Sequence, residues 1–293
     1  MIKTSPSRKI FLVLNTLILL FAALICILPL VHLAAVSFSD SAKAEAGLVG
    51  LLPVKFTLQA YQFIFSTGDF FRAFFNSCWR LLLGVPLNMM MTFLAAYPLS
   101  RPNRYLRWRS FYSWFFIITM LFSGGMIPLY MLVSALHLTN TIWALILPGA
   151  VPVFNVVLMI NFFRQVPEEF YEAAVIDGSS EWNALFKIYI PLALPSVITI
   201  LLFVLVAQWN SWFDGIIYMN EVSKYPLQSY LQAVVINKLD LASIGGQLDL
   251  YKSISQQTVD AARLFLATVP IIAVYLPLQK YFIKGLTLGG VKG

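Results

Sequence analysis

Side chains that could do chemistry are concentrated in one polar segment, residues 164–187. This segment holds five of the thirteen carboxylates of the chain. They are Glu168, Glu169, Glu172, Asp177 and Glu181. Proline and carboxylates are favoured in the first turn of a helix, so Pro167 predicts that a helix starts here. Gly178 predicts its end, because glycine adopts a left-handed conformation after a helix C-terminus at little cost.

A second short helix is expected after this glycine. Ser179 or Ser180 would cap it, and Pro191 is expected to end the segment. Small alanines lie on one face of the first helix and acids on the other. Aromatic rings complete the segment: Phe170, Tyr171, Trp182 and Phe186. Such a helix–glycine–helix segment predicts docking into a groove of a partner.

Motifs typical of enzymes and metal sites are missing from the sequence. The nearest approach to the phosphate-binding loop G-x-x-x-x-G-K-[ST] begins at Gly246, but Tyr251 stands where the second glycine must be. Cys26 and Cys78 lie in or beside apolar runs without CxxC spacing, and the two histidines are far apart. We therefore expect no catalytic residue, no metal site and no cofactor bound by this chain.

The composition indicates a membrane protein. Hydrophobic residues make up 59% of the chain and charged residues 11%, whereas an average soluble domain has about 25% charged residues. Such a chain could not cover its surface in water, so a bilayer must be the solvent for much of it. The net charge of +7 is explained by basic residues that hold loops in the cytoplasm, and nucleic-acid binding is not expected.

Charge-free runs predict an all-α protein with six membrane spans. Residues 110–163 contain no Lys, Arg, Asp or Glu and would form a helix of about 80 Å, so the chain must fold back in the polar stretch 134–141. The first run is too long for a cleaved signal peptide, whose apolar region has about 7–15 residues. The predicted spans are 10–36, 81–100 with a start near Phe75, 110–133, 142–163, 188–213, and 264–279 with a possible extension to 261–283.

Basic residues predict the orientation of these spans. With both termini in the cytoplasm, the inner segments contain 12 Lys and Arg residues and the outer segments contain 7. The bias agrees with the positive-inside rule. Its largest contribution is a loop of four arginines between spans two and three: Arg101, Arg104, Arg107 and Arg109. The long outer segment 37–74 is rich in phenylalanine and is expected to form an amphipathic helix at the membrane interface.

The segment after span four resembles a motif of a known family. It contains an E-A-A triplet, a glycine four residues further on, and I-x-I-P after nine more residues. The residues concerned are Glu172, Ala173, Ala174, Asp177, Gly178, Ile188 and Pro191. This pattern resembles the EAA motif of ABC importer permeases, with Ile190 where leucine is usual. Further stretches similar to carbohydrate permeases are 76–77, 95–101, 125–130, 140–145, 209–210 and 284–293.

The resemblance is to the maltose-type class, and within it to the subgroup that imports complex oligosaccharides, including alginate-like uronic oligosaccharides. It implies a type I ABC importer permease fold in the bacterial inner membrane, working by alternating access. The EAA loop would be the helix that couples transport to a separate ATPase. The implied partners are a second homologous permease in a heterodimer, two ATPase subunits that bind ATP and Mg, an extracytoplasmic solute-binding protein, membrane lipid and a saccharide.

The implied organisation of the chain is one permease domain with short cytoplasmic ends. The chain itself would hydrolyse no ATP. Its segments are a cytoplasmic N-terminus at 1–9, the six-span domain at 10–283 with outer loops at 37–74 and 214–260 and the coupling loop at 164–187, and a cytoplasmic tail at 284–293.

Polar side chains within the predicted spans are candidates for the substrate pathway, because polar groups in a bilayer are costly. Arg80, a turn or two into span two from its outer end, could attract an acidic sugar, or could instead snorkel to the interface or pair with Asp69 or Asp214. Amides could bind sugar hydroxyls or hold neighbouring helices together, and aromatic rings could stack on sugars or mark the membrane interface. The candidates are Arg80, Asn88, Asn155, Asn161, Gln208, Trp209, Asn210, Trp212 and Phe213.

Two other classes of membrane protein fit the sequence less well. A secondary solute carrier or channel would often have two related halves, and no internal repeat is visible. Such a protein would also have no evident use for an acidic helix–turn–helix in an inner loop. A membrane-embedded enzyme would need a cluster of His, Asp or Ser at helical spacing within the spans, which the sequence does not contain.

Overall fold

The computed structural model describes residues 6–102, 104–236 and 255–290, and gives side chains for all of these except residues 6 and 281–290. Regular secondary structure in these residues is entirely helical. The α-helices are α1 (Pro6–Ser37), α2 (Ser41–Glu45), α3 (Gln59–Thr67), α4 (Asp69–Ser100), α5 (Arg109–Leu121), α6 (Met126–Ala135), α7 (Ile142–Ile146), α8 (Val153–Phe163), α9 (Glu168–Ile176), α10 (Glu181–Asn183), α11 (Ile190–Leu192), α12 (Leu194–Asn210), α13 (Phe213–Tyr218), α14 (Leu227–Leu231) and α15 (Gln256–Gly290). Short 3₁₀ helices cover Leu147–Gly149 and Val222–Lys224, and π-helical turns cover Ala184–Tyr189 and Gln232–Ile236.

The six predicted spans correspond to three long helices and three bent pairs. Among the described residues, α1, α4 and α15 are each long and apolar enough to cross a bilayer alone. The pairs α5–α6, α7–α8 and the stretch Glu181–Leu192 with α12 bend by 109°, 48° and 88°, respectively. If each pair counts as one span, the total is six.

Each bend has a local cause. Between α5 and α6, Gly125 has φ +85° and ψ 177°, a conformation that is essentially restricted to glycine. Prolines 148 and 152 flank the break between α7 and α8, and each lacks the N–H that would continue a helix. Pro195 occupies the first turn of α12, where the missing N–H costs nothing. The weak stretch predicted at Gly124–Gly125 is therefore confirmed.

Three boundaries differ from those predicted. Span two begins at Asp69, before the start expected near Phe75. The last helix begins at Gln256, because Asp260 and Arg263 form an ion pair within it, with the Arg263 side chain buried. The expectation that Pro191 ends its segment was wrong, since the helix continues to Leu192 and breaks at Ala193. The π-helical turn Ala184–Tyr189 precedes Pro191. Its wider hydrogen-bond pattern accommodates a proline, which has no N–H to donate and whose ring would clash with an ordinary helical turn.

The chain divides into two compact units. The first comprises Met1–Phe70 and Val234–Val269. Its core includes Val36 of α1 and Ala261 of α15, and the ring of Phe38 stacks on Tyr61, with centroids 4.8 Å apart. The remainder of α1 exposes apolar side chains from Ile10 to Val31, as expected for a helix that faces lipid. A helix in the segment 37–74 is confirmed by α3, whereas its place at the membrane interface stays a prediction.

The second unit comprises Phe71–Ala233 and Pro270–Gly293. Its core is formed where α4, α8, the π-helical turn Ala184–Tyr189 and α12 meet. The buried residues there include Ala96, Tyr97, Val156, Met159, Phe163, Leu185, Ile200 and Val204. At one end of α4, Ser77 accepts a hydrogen bond from the backbone N–H of Leu227 at 2.8 Å, so the chain after α13 is fixed to this helix. Both sites described below lie within this unit.

Candidate functional site

The segment 164–187 forms the two helices that the sequence predicts. Helix α9 begins after Pro167, and Gly178 adopts φ +73° beyond its last turn. The N–H of Ser179 donates to the carbonyl of Ala174 at 2.9 Å, which satisfies a carbonyl at the helix end. Ser180 then caps α10 by accepting a hydrogen bond from the N–H of Asn183. Pro167 is the cap residue here, not the first helical residue, a shift of one position.

Two tyrosine hydroxyls hold this loop to the end of span two. Tyr97 on α4 donates to one carboxylate oxygen of Glu181 at 2.5 Å, and Tyr171 on α9 donates to the other oxygen at 2.6 Å. Burial, and next the Glu181 carboxylate that accepts the hydrogen bond, together raise the pKa of Tyr171 to about 12. The phenol therefore stays a donor at neutral pH, and Glu181 joins α4, α9 and α10.

A buried arginine makes a second connection at the same place. Arg101, just beyond α4, is 4% exposed. Its guanidinium carbon lies 3.3 Å from the ring centroid of Tyr171 and 4.5 Å from that of Tyr105, and Nη1 donates to the Tyr189 hydroxyl. Cation–π contacts of a desolvated arginine are worth about 2 kcal/mol. Arg101 thus connects the loop helix α9 to the end of the membrane helix α4.

Arg104 binds two exposed carboxylates of α9. Its Nη2 lies 2.5 Å from an oxygen of Glu168 and 3.2 Å from an oxygen of Glu172. All three side chains are exposed, so the pairs are screened by solvent and hold the loop weakly. The glutamate of the E-A-A triplet is therefore paired within the chain and remains accessible to a partner.

Several large apolar side chains of the loop are exposed. Ile176 is 84% exposed, and Phe170, Val175 and Trp182 are at least half exposed. Trp182 stacks on Phe186 with ring centroids 6.1 Å apart. Large exposed apolar patches mark surfaces of interaction. The loop is thus fixed by Arg101 and Glu181 and still offers exposed apolar side chains to a partner.

A separate cavity of about 740 Å³ lies among the broken spans. This volume falls in the range of small-molecule sites. The wall includes the break between α5 and α6, the break between α7 and α8, and polar residues of α4, α8 and α12. Those polar residues, with the first residues after α12, are Arg80, Asn88, Asn155, Gln208, Ser211 and Asp214.

Arg80 is paired inside this wall. Its Nη1 and Nη2 donate to the two carboxylate oxygens of Asp214 at 3.1 and 2.5 Å. Nε donates to the side-chain oxygen of Gln208 at 2.8 Å, and Nη2 also reaches the carbonyl of Leu145 at 3.3 Å. A bidentate pair of this kind is among the strongest hydrogen-bonded arrangements. Asp214 is one of the two partners considered for Arg80 from the sequence, and the pair adds no net charge to the cavity.

The network continues along α4 to the break in span four. Gln208 donates from Nε2 to the side-chain oxygen of Asn88 at 3.1 Å. Asn88 donates in turn to the carbonyls of Gly149 and Ala150 at 3.0 and 3.1 Å. These carbonyls lie where prolines interrupt the helix, so Asn88 satisfies groups that the bend frees. The polar side chains thus connect spans two, four and five.

Comparison with known proteins decides the family. Residues 8–213 match the family described as binding-protein-dependent transport system inner membrane component. The chain belongs to this family. It is a permease subunit of an ABC importer, and hydrolysis of ATP is the task of a separate subunit of such systems.

Relatives support this assignment over nearly the full length. The permease is 38% identical over 275 residues to the polygalacturonan/rhamnogalacturonan transport system permease protein YtcP of Bacillus subtilis, covering 94% of this chain and 96% of that protein. It is 40% identical over 289 residues to protein LplC of the same organism, covering 99% and 97%.

A solved structure supports the fold. The permease matches a chain of a bacterial ABC transporter involved in the import of the acidic polysaccharide alginate, with a TM-score of 0.87 and 32% sequence identity. The match covers 96% of the permease and 100% of that chain. The predicted fold class, a permease of the ABC importer type, is confirmed.

The pathway candidates of the permease fall into two groups. Arg80, Asn88, Asn155, Gln208 and Phe213 line the cavity. Trp209 is buried elsewhere, edge-on to Phe74 with ring centroids 6.1 Å apart, and Asn161 donates to the carbonyl of Val157 on its own helix. Asn210 and Trp212 are exposed and do not line the cavity.

Other residues of these sites had no signal of their own in the sequence. In the sequence, Arg101 is one of four arginines that indicate the orientation of the spans. The cavity-lining carbonyl of Leu145 belongs to an apolar residue. Their roles depend on contacts between residues that are 65 and 88 positions apart in the chain. A local sequence pattern does not predict such contacts.

Proposed function

We propose that this permease passes an acidic oligosaccharide through the bacterial inner membrane by alternating access, with both termini in the cytoplasm. The bias of Lys and Arg toward the inner segments supports the orientation. The substrate class is supported by the similar proteins, which are named for polygalacturonan and rhamnogalacturonan transport and for import of the acidic polysaccharide alginate.

The loop 164–187 is proposed to couple the permease to its ATPase. Two observations support this proposal. Arg101 and Glu181 fix the loop to the end of α4, and Ile176 and Trp182 of the loop are exposed. Movement of a partner bound to the exposed side would reach span two through the buried side. The proposed coupling residues are Glu172, Ala173, Ala174, Asp177, Gly178, Ile188 and Pro191.

The assembly around the permease is proposed to contain a second, homologous permease, two ATPase subunits that bind ATP and Mg, and an extracytoplasmic solute-binding protein. The permease itself is proposed to span the membrane as one domain over 10–283. This unit would have the outer loops 37–74 and 214–260. Residues 237–254 of the second outer loop lie outside the described part of the chain.

The cavity is proposed to form one wall of the substrate pathway. Asn155 and Phe213 line it and are free to face a sugar, since Asn88 and Gln208 are engaged with each other and with the backbone. Because Asp214 neutralises Arg80, selection of an acidic sugar is assigned to other groups, among them the solute-binding protein. Arg80 is proposed to hold this wall in shape.

Co-purification with the ATPase tests the coupling assignment. Ile176→Asp places a charge on the exposed side of the loop without touching its buried contacts, and is expected to release the ATPase from the solubilised complex. Leu52→Asp is the matched control, because Leu52 is also highly exposed, at 77%, but lies outside the loop. If both variants retain the ATPase as the parent chain does, the loop is not the docking element.

Uptake by proteoliposomes tests the substrate class. Oligogalacturonate and alginate oligomers are compared with a neutral oligosaccharide of the same length, in vesicles holding the complete complex and its solute-binding protein. ATP-dependent uptake of the acidic oligomers is expected. Equal or preferential uptake of the neutral oligomer would refute the acidic class while leaving the coupling assignment intact.

A further inference from the structure

Three arginines surround a second, smaller cavity beside the loop of four arginines. The cavity has a volume of about 280 Å³. Arg101 follows α4, Arg109 begins α5 and Arg164 follows α8, so three different helices bring the guanidinium groups together. Backbone carbonyls help to place them: Arg109 donates to the carbonyl of Arg101 at 2.9 Å, and Arg164 donates to that of Leu99 at 3.4 Å.

Positive charge in this cavity is not balanced by the carboxylates nearby. Glu168 also lines it, but its carboxylate is paired with Arg104. Glu181, on another side of Arg101, accepts hydrogen bonds from Tyr97 and Tyr171. In the described part of the chain, none of the three arginines that line the cavity has a carboxylate within ion-pair distance.

Two further observations indicate that these cations lack an anionic partner. Nη2 of Arg101 is buried and has no hydrogen-bond partner among the described residues. Partial burial and the charge of Arg109 lower the pKa of Arg164, so the two cations repel each other across the cavity. A buried donor that remains unpaired is costly, and so is repulsion between two cations that no anion offsets. An anion in the cavity would offset both costs.

We propose that this cavity binds one phosphate group, the oxyanion of an anionic lipid headgroup or of free phosphate. Planar guanidinium groups suit phosphate because each can donate two hydrogen bonds to it. The cavity has room for several water molecules, which a phosphate would replace. Trp108 and Phe111, beside Arg109, are strongly exposed, as aromatic residues at the headgroup level of a bilayer are. A lipid is therefore the expected source.

Native mass spectrometry of the complete complex, titrated with phosphatidylglycerol, tests the site. The parent complex should retain one such lipid at the permease. Arg164→Gln should raise its dissociation constant about fivefold, and the double change Arg109→Gln/Arg164→Gln about 25-fold. Since Arg164 is exposed, its single variant carries little risk of misfolding. Arg107→Gln is the control, because Arg107 lies in the same loop, is exposed and does not line the cavity.

A second arm identifies the source of the phosphate. Inorganic phosphate is titrated into the complex in phosphatidylcholine nanodiscs and followed by ³¹P NMR line width. Binding that depends on Arg109 and Arg164 supports the site with free phosphate as its ligand. Lipid retention that is the same in the double variant as in the parent, without phosphate binding, overturns the proposal. So does an equal loss in Arg107→Gln, which would indicate general attraction to basic residues.

Discussion

The guanidinium carbon of Arg101 lies 3.3 Å from the ring centroid of Tyr171. One residue follows the membrane helix α4, and the other belongs to the loop helix α9. Since the hydroxyl of Tyr171 is also bound to Glu181, this ring is held from both its face and its edge. A movement of α9 caused by an ATPase would therefore be transmitted directly to span two through Tyr171 and Arg101.

Removal of the Arg101 cation is expected to uncouple the permease. Arg101→Met keeps an unbranched apolar stem and loses the cation–π contacts. Transport per ATP hydrolysed should fall about tenfold, equivalent to about 1.4 kcal/mol of coupling, while the ATPase still co-purifies. Transport and hydrolysis are measured together in proteoliposomes, with Arg107→Met as the control. An unchanged ratio of transport to hydrolysis in Arg101→Met would rule out this route.

Loss of the Asp214 charge is expected to destabilise the cavity wall. Asp214→Asn leaves the buried Arg80 cation without its counter-ion, which should cost about 3 kcal/mol of unfolding free energy. Replacement of both residues, Arg80→Met with Asp214→Leu, should recover much of that loss, because no buried charge is left unpaired. Unfolding in mixed detergent, followed by circular dichroism, measures the three proteins. A double variant no more stable than Asp214→Asn contradicts the assignment of Arg80 as a structural cation.

Local signals in the sequence predicted the loop well and the network poorly. Pro167, Gly178 and Ser180 act through their own backbone and the next few residues, so both ends of α9 and the start of α10 follow from the sequence. The hydropathy pattern predicts a start of α15 that is too late, because Asp260 and Arg263 resemble a polar boundary. Their ion pair allows both to lie inside the helix. The partner of a given arginine depends on the packing of distant helices, which hydropathy does not encode.

High pH should weaken the contact between Tyr171 and Glu181. The pKa of Tyr171 is raised to about 12, above the usual value near 10. The protonated phenol therefore contributes stability that is complete below pH 10 and is lost as the pH rises through about 12. The difference in absorbance at 295 nm between the parent and Tyr171→Phe reports this one group. In a Glu181→Gln background its midpoint should move to lower pH, because the carboxylate no longer favours the protonated phenol. A midpoint near 10 in the parent would show that the contact is absent.

The bend in span three should depend on one of two adjacent glycines. Gly125 has φ +85° and ψ 177°, so Gly125→Ala forces a side chain into a conformation that costs about 1–3 kcal/mol. Gly124→Ala is the matched control, because a Cβ there would lie 3.8 Å from Cβ of Pro128, an ordinary contact, and its backbone is not left-handed. Both glycines line the cavity of about 740 Å³, so a change in the bend should alter transport as well as stability. We expect Gly125→Ala to reduce both the unfolding free energy and uptake, with Gly124→Ala close to the parent in each. Equal behaviour of the two variants would indicate that the bend is set by the packing of α5 and α6 and not by the conformation of Gly125.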